Sequence, residues 1–146
     1  MENASKIAKL PVAAAVVALV GLGDAIYLTV HHLSGTSVQC SVVAGCEQVL
    51  NSPYATVAEN VPLALIGAVA YFTVFSLATL AAFGNNRAWT LLGIIVGLMS
   101  AFAVWLIYLQ AFVIGAFCQF CLLSAAVTFT LLAIVILRLY FFKRLA

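Results

Sequence analysis

Hydrophobic residues in this chain do not alternate with polar ones but run in four long blocks, at about 10–33, 61–83, 88–114 and 117–139. A hydrocarbon core of roughly 30 Å is crossed by about 20 helical residues, so each block is long enough to span it. Continuous apolarity excludes a transmembrane barrel, whose strands alternate with period 2. The expected fold is an all-α integral membrane protein: one domain over 1–146, built as a four-transmembrane-helix bundle with a capping first loop. That loop, 34–60, is too long for a simple connection, and loops of this length are often functional. Ser34, Gly35, Thr36 and Ser37 make a flexible opening; Cys46 to Leu50 is predicted to form one helical turn, broken by Asn51-Ser52-Pro53-Tyr54. Val49, Leu50, Tyr54 and Val57 give the loop an apolar side with which to cover the bundle mouth.

Composition agrees, since 66% hydrophobic and 7% charged residues lie far outside the range of soluble domains. Charge then orients the bundle. The six basic residues are Lys6 and Lys9 before the first block, Arg87 between the second and third, and Arg138, Lys143 and Arg144 at the end. All fall on one side of a four-span bundle, which the positive-inside bias makes cytoplasmic. The 34–60 loop carries only Glu47 and Glu59. The loop and the uncharged 114–117 turn therefore face the extracytoplasmic side. The expected location is the cell (inner) membrane, surrounded by lipid, with both termini cytoplasmic and no nucleic-acid partner. Lys6 and Lys9 ahead of an apolar run also resemble the start of a signal peptide. That run exceeds 20 residues and offers no small-residue cleavage site before Leu33, so it is read as a retained helix.

Cys40, Cys46, Cys118 and Cys121 all lie on the side without Lys or Arg, where disulfides form and persist. Three readings are open. Structural disulfides are common in exported proteins, and Cys40 is spaced to close a small loop with Cys46. A tetrathiolate zinc site needs Cys-x-x-Cys pairs, and only Cys118-Gln119-Phe120-Cys121 has that spacing, so no metal is expected. Thiol–disulfide exchange suits that pair best, because a helix N-terminus stabilises a thiolate. Asp24 lies about nine residues inside the first span, roughly 14 Å deep at 1.5 Å per residue. An ionisable group there is costly and functional by default. It is expected to be protonated and hydrogen-bonded to a Ser, Thr or Tyr of a neighbouring helix, with a proton relay as the alternative. His31 and His32 are expected to be solvated at the interface, and Gly93 and Gly97 to permit close helix packing.

Taken together, these residues resemble the vitamin K epoxide reductase family, in particular its prokaryotic members. The likeness rests on Tyr27-Leu28-Thr29, on Cys40 and Cys46, and on Val49-Leu50-Asn51-Ser52-Pro53-Tyr54. Val61-Pro62-Leu63-Ala64, Gly67 and Cys118-Gln119-Phe120-Cys121 extend it. It implies a thiol oxidase and quinone reductase that supports disulfide bond formation. Electrons would pass from a thioredoxin-like or DsbA-like extracytoplasmic protein to Cys40 and Cys46, then to Cys118 and Cys121, and on to a quinone of menaquinone or ubiquinone type. Many bacterial members carry a fused thioredoxin-like domain; here the sequence ends at Ala146, so the implied partner is a separate protein. Vertebrate members have a tyrosine one turn after the last cysteine where this chain has Ala125, which weakens vitamin K epoxide as the substrate. Ser52, Phe117, Phe120, Leu122 and Tyr71 are the expected quinone-lining residues, with Trp105 and Tyr108 as further candidates. The alternative is a small non-catalytic membrane subunit whose disulfides are structural.

Overall fold

The structure, a computed structural model, describes residues 2–58 and 61–145, with side chains described over 8–58 and 61–144. Glu59 and the Lys6 side chain lie outside the described parts. In chain order the helices are α1 (Glu2–Ser34), α2 (Cys46–Leu50), α3 (Leu63–Ala82), α4 (Asn86–Tyr108) and α5 (Gln119–Leu145). Segments Ala8–Ser34, Leu63–Ala82, Asn86–Ile114 and Gln119–Arg144 are long and apolar enough to cross a membrane. This is a multi-pass helical bundle, as the four apolar blocks predict.

Each long helix packs on two others, in the ring α1, α3, α4, α5. Small residues make the tightest of these seams. Ala14, Ala18, Gly21 and Ala25 lie one turn apart on the buried face of α1, against Ala68, Tyr71, Val74 and Ala78 of α3. Without a hydrophobic force between helices in lipid, close packing of this kind supplies the attraction. A Cβ on Gly21 would collide with the Tyr71 ring, so only glycine fits there. The opposite faces expose Val12, Val16, Leu19, Val69, Phe72, Ile94 and Leu98, a surface suited to acyl chains and not to water.

Gly93 and Gly97 do not behave as a pair. A Cβ on Gly93 would meet Val135 of α5 at 3.4 Å, but Gly97 faces open space. A spacing of four puts both near one helix face, yet α5 meets that face only at the first.

The three-residue turn between α3 and α4 ends on Asn85, whose side chain caps α4 by accepting from the N–H groups of Arg87 and Ala88 (3.1 and 3.2 Å). At this end Arg138 lies over the Trp89 ring, 4.2 Å from its centroid, and its Nη2 donates to Asn86 Oδ1 (3.3 Å). Arg87, Lys143 and Arg144 belong to the same end of the bundle, and the four cysteines belong to the other.

The loop between α1 and α3 folds as expected into the short helix α2, which starts on Cys46; a 3-10 turn follows at Pro53–Ala55. It adds one departure from an all-helical chain. β1 (Thr56–Val57) pairs antiparallel with β2 (Val61–Pro62), Thr56 opposite Pro62 and Val57 opposite Val61. β-branched residues favour the extended backbone, and Pro62 can sit on a strand only because it lies at an edge.

Candidate functional site

The chain after α4 continues as a wider π-type turn over Leu109–Ile114, and Gly115, in the left-handed region at φ 68°, then reverses direction. This delivers Cys118 to a position immediately before α5, where its carbonyl accepts from Leu122 N–H (3.0 Å). Gln110 fixes the segment. It is 3% exposed in an otherwise apolar stretch, and its Oε1 accepts from the Cys118 N–H at 3.0 Å. Gln119 ties the loop to the same helix start, accepting from Val42 N–H at 2.9 Å.

These contacts bring the four cysteines into one buried cluster. Cys46, Val49, Ala116 and Cys118 form its core, with Cys40, Leu50, Phe120 and Cys121 packed against it. Cys40 and Cys46 are joined by a disulfide with their Cα atoms 5.8 Å apart, while Cys118 and Cys121 are free thiols. Exposure within each pair is unequal: Cys46 (2%) and Cys118 (0%) are the buried sulfurs, and Cys40 is half-buried. The close approach depends on Gly45. A Cβ there would stand 2.5 Å from the Phe117 carbonyl oxygen and 2.8 Å from its nitrogen, so no other residue lets α2 start this near the α5 entry.

Cys118 occupies the N-cap position of α5. The Cys121 thiol donates to its sulfur, and the N–H groups of Cys121 and Phe120 add to this. Together they bring the Cys118 thiol down from the ordinary 9.0 to about 7, against the opposing effect of burial. A thiol so placed is a good leaving group in thiol–disulfide exchange.

Beneath the cluster lies a cavity of about 650 Å³, within the usual range of ligand pockets. Its wall comes from α1 (Asp24, Leu28, His32), the loop (Val49, Ser52, Tyr54), α3 (Gly67, Tyr71), α4 (Met99, Phe102, Ile107), the π turn (Gln110) and α5 (Cys121, Ala125). Ser52 is held at the rim by donating to Val49 O at 2.6 Å. Tyr71 is 1% exposed and its hydroxyl joins α3 to α5, bonding to Ser124 O (2.8 Å), Ser124 Oγ (2.9 Å) and Thr128 Oγ1 (2.8 Å).

Five of the seven residues expected around a quinone are placed elsewhere. Phe117, Phe120 and Leu122 are outside the cavity wall, as are Trp105 and Tyr108. Phe120 packs on Tyr27 with centroids 5.2 Å apart, and Phe117 is 39% exposed. Trp105 and Tyr108 face outward. With α5 starting at Gln119, Cys121 takes the inward direction, and neighbours at about 100° per residue turn away from it. Asp24 also differs from its expected state. It is buried, yet neither carboxylate oxygen has a hydrogen-bond partner among the described residues, so no neighbouring hydroxyl satisfies it. The hydroxyls of Tyr71 and Thr128, which line the same cavity, are committed to each other. His31 pairs with Thr36 Oγ1 (2.8 Å), whereas His32 reaches the cavity wall.

The model of the vitamin K epoxide reductase family matches residues 12–136, which includes every element of this site. The chain belongs to the vitamin K epoxide reductase family. It is also 37% identical over 117 residues to thiol-disulfide oxidoreductase LTO1 of Arabidopsis thaliana. That match takes in 74% of this chain but 31% of the plant protein, so the chain spans about a third of that relative's length. Gln110, Gln119 and Gly45 complete the site. A lone glutamine inside an apolar span was a visible signal for the first; nothing in the sequence marked the other two.

Proposed function

We propose that this member of the family is a membrane thiol oxidase and quinone reductase. It takes electrons from a separate thioredoxin-like protein outside the cytoplasm and passes them through Cys40 and Cys46, then Cys118 and Cys121, to a quinone in the cavity. The observation that carries this reading is the shared burial of Cys46 with Cys118, while Cys40 stays accessible and Cys121 lies in the cavity wall. Four sulfurs are thereby arranged in series from solvent to cavity. Two structural disulfides would need no such order.

The relay follows from exchange chemistry. A partner thiolate attacks Cys40, the half-buried sulfur, and a second partner thiol releases it, leaving the outer pair reduced. Cys46 then attacks Cys118 of the oxidised inner pair and Cys121 leaves. Cys40 attacks Cys46, re-forming the outer disulfide and expelling Cys118 as the thiolate that the helix start and Cys121 stabilise. The cavity suits a quinone: its wall is mostly apolar, as a flat ring requires, and Gln110, Ser52, Asp24, His32 and Cys121 are among its polar points. When bound, a quinone supplies a two-electron, two-proton sink. With a quinone bound, Ser52 and the loop would shield it from water and Cys121 would offer its sulfur from the cavity wall. The basic end of the bundle supports a cytoplasmic placement for both termini and an extracytoplasmic one for the cysteines.

The test uses purified protein, a reduced thioredoxin-like donor and a short-chain ubiquinone. Wild type is expected to form quinol with either the donor or a small dithiol. Cys40→Ser should lose donor-driven turnover and retain turnover with the small dithiol, which reaches the inner pair directly. Equal loss with both reductants would break the proposed order.

A further inference from the structure

The relay of four cysteines gives no role to Asp24 in the cavity wall. Asp24 is 8% exposed, faces the cavity, and has no hydrogen-bond partner on either oxygen among the described residues. An unpaired carboxylate in an apolar wall is costly, and a merely structural acid would have found a donor. Leu28 and His32 follow it at intervals of four along α1, on the same face, and both line the cavity. His32 also lines a second pocket of about 230 Å³ nearer the surface, together with Thr36, Ser37, Glu47 and Asn51. It is a wall residue common to the inner cavity and the outer pocket. An imidazole in that position can pass protons between them.

Among the described residues, the remaining titratable groups of the cavity do not compete for this role. Tyr54 comes from the loop and Tyr71 from α3, the latter with its hydroxyl held by Ser124 and Thr128. The α5 wall contributes Cys121 and the α4 wall no titratable group, and among the described residues neither Lys nor Arg lines the cavity.

We propose that Asp24 donates a proton in the inner redox step and that His32 replaces it from the outer pocket, an assignment that rests on the quinone-reductase reading above. The balance requires such a donor. With Cys118 as thiolate and Cys121 as thiol, closing the Cys118–Cys121 bond releases two electrons and one proton. Reducing a quinone to quinol consumes two electrons and two protons. Asp24 supplies the second proton, and its carboxylate is reprotonated from His32 through water in the cavity, across about 12 Å of helix at 1.5 Å per residue.

Full-length protein carrying Asp24→Asn or His32→Gln tests this with a small dithiol and short-chain ubiquinone. Asp24→Asn is expected to slow quinol formation about 100-fold, within the range for general acid catalysis. Electron transfer from the outer to the inner pair, read by thiol trapping without quinone, should keep its wild-type rate. Added azide, a small permeant acid, should restore quinol formation, which it would not do for a packing defect. Infrared spectra of quinone-free protein should show a protonated-carboxyl stretch that is lost in Asp24→Asn. His32→Gln should spare the first turnover, which uses the proton already on Asp24, and slow those that follow.

Unchanged turnover in Asp24→Asn, or equal slowing of both steps without azide rescue, would overturn the Asp24 assignment alone. A missing carboxyl band in wild type would do the same. First and later turnovers affected alike in His32→Gln would overturn the role of His32. If wild type itself formed no quinol, the quinone-reductase reading would fall and this proposal with it.

Discussion

Gly45→Ala probes whether transfer between the two pairs depends on how closely α2 docks on the α5 entry. The added Cβ would stand 2.5 Å from the Phe117 carbonyl oxygen, and real Cβ contacts do not fall below 3.0 Å. The obstacle is backbone on both sides, so the loop must retreat by about 0.5 Å, the difference between those values. Displacement of reacting groups by 1 Å costs about 100-fold in rate, which makes about 10-fold a fair expectation for half that shift. The assay reduces the outer pair with a pulse of donor, quenches with an alkylating reagent, and maps which cysteines are labelled over time. Cys40 and Cys46 should stay labelled about ten times longer than in wild type, while a small dithiol still drives quinol formation at the normal rate. Wild-type transfer in a folded Gly45→Ala protein would refute the idea that this glycine sets the sulfur-to-sulfur approach. Loss of small-dithiol turnover as well would show that the substitution damaged the inner site instead.

Other expectations follow from single contacts. Thiolate absorbance of protein with the outer pair oxidised should rise as pH passes through about 7 as Cys118 ionises, and in Cys121→Ser that midpoint should change because the thiol donor is replaced. A midpoint near 9 in wild type would remove the helix-start and Cys121 stabilisation. Tyr71→Phe removes the hydroxyl that bonds Ser124 and Thr128, and should lower stability by about 1 kcal/mol, the scale of interhelical hydrogen bonds in membranes; thermal unfolding in detergent measures it, and an unchanged midpoint would count against the link between α3 and α5. A membrane-impermeant thiol reagent should label a cysteine introduced at Ser37 from outside the cell and one at Asn85 only from the cytoplasm, and the reverse pattern would invert the proposed orientation.

Much of this was legible in the sequence because membrane helices and cysteine chemistry both leave coarse marks. Apolar length alone located the spans, since lipid demands it. The helical turn at Cys46 to Leu50 was visible because Asn51 to Tyr54 ends it. Side-chain direction was not visible. Phe117, Phe120 and Leu122 flank the inner cysteines in sequence, but the rotation of α5 within the bundle decides who faces the cavity, and it chose Cys121, Ser124 and Ala125. Gly93 and Gly97 share a spacing but not a neighbour, because the approach of α5 is a tertiary fact. The unpaired state of Asp24 depends on Tyr71 and Thr128 having already bonded each other. Gly45 shows the same limit from the other side, as a glycine among loop residues whose necessity appears only once Phe117 is placed against it.

The central claim is that Cys46 and Cys118 are the two sulfurs that meet, and disulfide mapping of Cys121→Ala tests it most directly. Without Cys121 to complete the inner pair, the Cys118 thiolate can attack only the outer disulfide, and the buried neighbour within its cluster is Cys46. Mass spectrometry should recover a Cys46–Cys118 link with Cys40 as the free thiol. Recovery of Cys40–Cys46 with Cys118 free would contradict the relay, and a Cys40–Cys118 link would exchange the roles of the two loop cysteines.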